Sequence, residues 1–348
     1  PNSKVKKGDK MRAVIVRKDP TATAKEILRL SEEALRLLPD NDLIRYITDL
    51  NRSSAYLVAG RVGEALQVLR QAYASERCRR NPYLGVTIAS VYGQVLLEQG
   101  KLRAALALYR DTIGKLTDPA SDQRPPFAEL AYGGIGRALV EMNDLERADQ
   151  MLTDDPHRFP PGDEIMEMYA HLARARLCWA QDDPEGARRA LVYARDGPFR
   201  GMDAYVDAFQ ARRAVQQEEL EQAQAWANLG GFKLTAAPQP GGIIRGTLPT
   251  LQRSTLVRLR IAQQRVGASP DTLRPSMKAV LDFLERQIAF EEAAGFGGRV
   301  IDLLILRALA FDAVGQPQSA LDALRHALQL AAPAGYVRIF LDEGAPMA

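Results

Sequence analysis

Four polar side chains recur along this chain, Gln94, Arg137, Arg176 and Arg212, each about forty residues from the next. Ser54 continues the row towards the N-terminus, and Tyr169 and Tyr205 stand seven residues before Arg176 and Arg212. Seven residues is two helical turns, so each tyrosine shares a helix face with its arginine. A guanidinium fork beside an aromatic face suits a carboxylate, a phosphate or a sugar stacked on the ring. Gln94, Arg137, Tyr169, Arg176, Tyr205 and Arg212 are therefore candidate ligands for a small polar molecule, anions included. A plainer reading stands beside it: the arginines form a solvated face and the tyrosines pack between helices.

Other chemistry is hard to find. The three histidines, His157, His171 and His326, make no His-Glu-x-x-His pair and share no zinc spacing with the two cysteines. There is no Gly-x-x-x-x-Gly-Lys-Ser/Thr loop for a nucleotide phosphate. Tyr132-Gly133-Gly134-Ile135-Gly136 is glycine-rich but follows no strand, and it reads as close helix packing. The acidic pairs Glu218-Glu219 and Glu291-Glu292 read as helix starts or solvated faces. The chain is expected to be neither an enzyme nor the holder of a metal or cofactor.

The elements that must carry the arginine row are announced by a repeated turn. Gly60-Arg61-Val62-Gly63-Glu64-Ala65 returns as Gly100-Lys101-Leu102-Arg103-Ala104-Ala105, and then from Asn143, Asp182, Glu218 and Gly315. Five residues after each turn position stands an alanine. Seven before it is a small residue: Ser53, Gly93, Gly136, Ala175, Ala211 or Ala308. Nine after it comes a larger apolar one, namely Leu69, Tyr109, Leu152, Leu191 or Leu324, with Ala227 the weak member. The small residue lets a neighbouring backbone approach. A period near forty with this grammar predicts an all-α, right-handed superhelix of about seven helical hairpins of tetratricopeptide type, in which first helices line the concave side. Such a solenoid grows by adding units and has no single core. The arginine row, six before each turn position, then faces the groove.

The helices begin at Thr21 or Thr23 with one reaching Leu38, the second half of a hairpin. Hairpins are expected over about 42–79, 82–117, 125–153, 163–196 and 199–229. A sixth follows over 249–265 and 271–294, and a seventh over 297–314 and 316–332. Pro, Gly and Asp separate them, most visibly at Pro160-Pro161-Gly162, and 234–246 is the longest irregular stretch. Residues 1–19 lack helical period and are expected to be a flexible lead, partly foreign to the fold, with residues 20–348 forming the superhelical domain. A basic nucleic-acid arm is the alternative for that lead, since it holds seven Lys/Arg against two Asp. The net charge of +3 thus leaves the remainder at about −2, and specific DNA binding by this chain alone is not expected. No run approaches the roughly 18 apolar residues of a membrane span. Cys78 and Cys178, inside helical patterns, read as buried free thiols suited to the cytoplasm.

The last fifty residues resemble a known family. Ile301-Asp302-Leu303-Leu304-Ile305-Leu306-Arg307-Ala308-Leu309-Ala310, Ala320-Leu321-Asp322-Ala323-Leu324 and the closing Gly335-Tyr336-Val337-Arg338-Ile339-Phe340-Leu341-Asp342-Glu343-Gly344 look like the last hairpin of MalT-type activators, the large ATP-dependent LuxR-family regulators. The likeness spans about Thr21 to Met347. It implies a domain that binds an inducer or regulatory protein and helps self-association. It also implies ATP on a separate N-terminal module and DNA contact through a separate C-terminal helix-turn-helix. Ser254-Thr255-Leu256-Val257-Arg258 departs from the family's Leu-Thr-Leu-Ala-Arg-like helix. The repeat alone would equally permit a free-standing scaffold for a peptide or protein partner. Gly335 is expected to end the last helix, with Tyr336 to Leu341 extended and Tyr336 and Phe340 packed on the final hairpin.

Overall fold

The computed structural model describes residues 20–117, 127–152, 164–196, 203–235, 247–267, 275–344 and 347. The expected lead at 1–19, the Pro160-Pro161-Gly162 separator and nearly all of the 234–246 loop lie outside them. Every regular element described is helical. After α1 (Pro20–Leu37) come α2 (Asp42–Val58), α3 (Val62–Tyr73) and α4 (Glu76–Arg80). Hairpins follow as α5 (Pro82–Glu98) with α6 (Leu102–Leu116), α7 (Glu129–Glu141) with α8 (Leu145–Met151), and α9 (Glu164–Ala180) with α10 (Pro184–Asp196). Then come α11 (Asp203–Gln216) with α12 (Leu220–Gly230), α13 (Thr247–Arg265) with α14 (Met277–Ala294), and α15 (Gly297–Ala313) with α16 (Pro317–Ala334). A single turn, α17 (Arg338–Leu341), closes the order. With α2 and α3 paired, these make the seven hairpins of an α-solenoid.

The turn phrase works as its spacing predicts. Gly60, Gly100, Asn143, Asp182, Glu218 and Gly315 all have left-handed backbones, with φ between 60° and 76°. Asparagine and aspartate tolerate that region, glycine adopts it freely, and Glu218 takes it at a cost of about 1 kcal/mol. The alanine five residues on is fully buried in five of the six copies, and Ala320 is half-buried. The small positions accept a side chain, where a backbone was expected. A methyl on Gly93 or Gly134 would overlap the Tyr109 ring, and one on Gly136 would overlap Leu152. Gly93 with Tyr109, and Gly136 with Leu152, are the small and large members of one hairpin each. The glycine run in α7 is thus a packing surface.

Two expectations are corrected. The stretch 42–79 is not one hairpin: Ser75, at ψ 153°, breaks the chain between α3 and the short α4. Tyr336 to Leu341 is not extended. Gly335 does cap α16 at φ 88°, but the chain then turns into α17 because the Val337 amide is taken by the Glu141 carbonyl at 2.9 Å. The units also touch beyond their neighbours. A Cβ on Gly297 would lie 2.7 Å from the Gln99 carbonyl oxygen. One on Gly298 would lie 3.0 Å and 3.1 Å from those of Leu97 and Glu98. Two hundred residues apart in sequence, the start of α15 thus sits on the end of α5, and only glycine permits the approach. The most extended of three apolar clusters among the described residues runs from Val86 in α5 to Ile339 in α17, with Phe340 packed against it.

Candidate functional site

This closure brings the first helices and the closing segment together around the groove. The arginine row is there, but each guanidinium has carboxylates beside it. Arg137 bonds Gln94 and lies 3.1 Å from Glu98, with Tyr169 4.7 Å beneath it. Arg299 binds the other oxygen of Glu98 at 2.9 Å and approaches buried Glu291 at 3.6 Å. Burial alone would raise the Glu98 carboxyl, yet Arg299 and Arg137 hold it below the usual range. At Glu291 burial prevails over Arg299, and the carboxyl is pushed up. Glu291 is 1% exposed, so its expected place on a solvated face is wrong: α14 turns it towards Arg299.

Arg176 pairs with Glu141 and, at 2.8 Å, with Asp342, 166 residues ahead. Arg338, one turn before Asp342, bonds it at 2.6 Å and reaches Asn143 at 3.2 Å. The Asp342 carbonyl accepts from Gln216. Burial would raise the Asp342 carboxyl, but Arg176, Arg212 and Arg338 hold it down at about 2. Next along the groove, Glu343 accepts from Arg212 at 3.1 Å and from Arg258 at 2.6 Å. Arg258, 3% exposed, also holds Asp302 at 2.5 Å. Arg212 is shifted below the ordinary arginine value by burial and by Arg258, which outweigh Glu343 and Asp302.

Of the sequence candidates, Gln94, Arg137 and Tyr169 form one cluster, and Arg176 and Arg212 meet through the closing segment. Tyr205 is buried in the core shared by α2, α3, α9, α10 and α11, and Ser54 is exposed. Tyr169 serves the arginine of the preceding hairpin, where the sequence pairs it with Arg176. The solvated-face reading fails for these arginines, which are largely buried and paired with largely buried carboxylates. Sequence reasoning did not single out Arg258, Asp302, Asp342 or Glu343. The signal was the acid pair Asp342-Glu343 in the closing phrase. A cleft of about 130 Å³ remains between α9, α11 and α17, bounded by Arg176, Arg212, Arg213, Arg338, Trp179 and Phe209 among others.

This chain matches the MalT-like TPR region family over residues 11–348. It belongs to that family. Comparison with curated proteins gives no match. The MalT-like TPR region thus has its closing phrase folded back into its own groove. Tyr336, whose hydroxyl lies 3.3 Å from the Leu97 carbonyl, reaches α5 beside Gly298 at the start of the final hairpin. Among the described residues no helix is long and apolar enough to cross a membrane.

Proposed function

We propose that this chain is the effector-sensing and self-association domain of a MalT-like, LuxR-family transcription regulator, and that a small polar effector binds in its concave groove. The observation that carries this is the convergence of Arg176 and Arg212, from two successive hairpins, on the closing segment. Occupancy of the groove and the position of the C-terminal segment are therefore coupled, which is what a sensor needs. An extended peptide would have to expel α17 and strip Asp342 and Glu343 from their arginines, so the scaffold reading fits the geometry less well. In this reading the domain works in the cytoplasm, and nucleotide and DNA are handled by modules outside this chain.

Calorimetry with a panel of sugars, organic acids and phosphorylated metabolites tests the proposal. One ligand should bind saturably, and Arg176→Gln or Arg212→Gln should weaken it at least tenfold. A ligand indifferent to both substitutions would place its site elsewhere. Saturable binding of peptides alone would favour the scaffold.

A further inference from the structure

The cleft beside the closing turn differs from the rest of the groove in one respect. Three of its arginines are matched: Arg176 with Glu141 and Asp342, Arg212 with Glu343, and Arg338 with Asp342. Arg213 has no carboxylate partner among the described residues. Its Nε has no hydrogen-bond partner among them, and its guanidinium stands 5.5 Å over the Trp179 ring. Trp179 in turn stacks on Phe209, with centroids 5.2 Å apart and planes 22° from parallel. The Arg213 side chain lines the cleft, and a partly desolvated guanidinium without a carboxylate is a charge that an incoming anion would match. Beside it two stacked rings give the cleft an apolar side. The volume, about 130 Å³, is close to that of a cavity that admits benzene.

We infer that the cleft bounded by Arg213, Trp179, Phe209, Arg212 and Asp342 is a binding site for a small organic acid, a carboxylate or phosphate ester carried on one flat ring. The acid group meets Arg213 and Arg212, and the ring lies along the Trp179–Phe209 wall. Asp342 on the rim is the competing charge. Bound acid weakens its hold on Arg176 and so loosens the closing turn. This rests on the effector reading above and names the class of effector.

The chain holds two tryptophans, so Trp226→Phe leaves Trp179 as the reporter. Phthalate and phenyl phosphate are the probes, with benzamide as a neutral ring and inorganic phosphate as an acid without one. At least one aromatic acid should change Trp179 emission saturably and bind at least tenfold more tightly than either control. Arg213→Gln should weaken that binding tenfold or more, and Asp342→Asn should tighten it severalfold by removing a like charge. The inference is overturned if neither aromatic acid binds, if Arg213→Gln leaves affinity unchanged, or if benzamide binds as well as phthalate. A neutral sugar bound in the groove, with Trp179 silent and Arg176→Gln disruptive, would sink this site and leave the sensor reading standing.

Discussion

Ion pairs on the outside of the superhelix and ion pairs in its groove use the same side chains to different ends. Outside, Arg29–Glu26, Arg188–Glu185 and Arg325–Asp322 join residues three apart on one helix, with both partners about half exposed or more. Such pairs are solvent-screened and contribute roughly 0–1 kcal/mol. In the groove, Arg176–Asp342 and Arg258–Glu343 join elements 166 and 85 residues apart and are largely removed from water. Desolvation offsets much of their attraction, so they are poor sources of net stability, but losing one partner strands a buried charge. The outer pairs decorate helices that form without them. The inner pairs decide where the closing segment goes.

Breaking the inner set should have the largest effect. Glu343→Leu leaves Arg258 and Arg212 facing each other and should cost about 3–5 kcal/mol in chemical denaturation; a loss below about 1 kcal/mol would make the groove pairs no different from the outer ones. Gly298→Val attacks the same closure sterically, through the Leu97 and Glu98 carbonyls and the Tyr336 hydroxyl. It should cost about 1–3 kcal/mol and expose the closing segment to protease, whereas Gly63→Val, with nothing near its Cβ, should not open the closing segment.

Acid gives a graded version of the comparison. The Asp342 carboxyl is depressed to about 2 from a model-compound value of 3.8. Its contribution, roughly 2 kcal/mol, is therefore fully present above about pH 4 and is lost as pH falls towards 2. The melting-temperature gap between wild type and Asp342→Asn should shrink across that window. A gap constant from pH 6 to pH 2 would mean that Asp342 is not held by charge. The smallest effect has the opposite sign. Glu218→Gly removes left-handed strain at φ 64° and should stabilise by about 0.5–1 kcal/mol. It should leave the groove pairs untouched.

What the sequence showed and what it hid divide along the same line. The six left-handed turn residues were legible because the phrase that specifies each is local, a few residues of one chain segment. Gly93 with Tyr109 and Gly136 with Leu152 were legible as a register, since one hairpin contains both members. The arginine row was visible for the same reason. Its partners were not: nothing near Arg176 in sequence announces Asp342, and nothing near Arg258 announces Glu343. They meet only once Gly297 and Gly298 let α15 close on α5. The helical form of α17 was hidden likewise, because the carbonyl that takes the Val337 amide belongs to Glu141.

A double-mutant cycle on Arg258 and Glu343 measures that hidden contact directly, with Arg325 and Asp322 as the exposed control. If the closing segment is seated by its acids, the coupling energy at Arg258–Glu343 should be about 2 kcal/mol or more, against at most about 0.5 for the control. Equal, near-zero coupling in both cycles would contradict a closing segment held in the groove by these arginines.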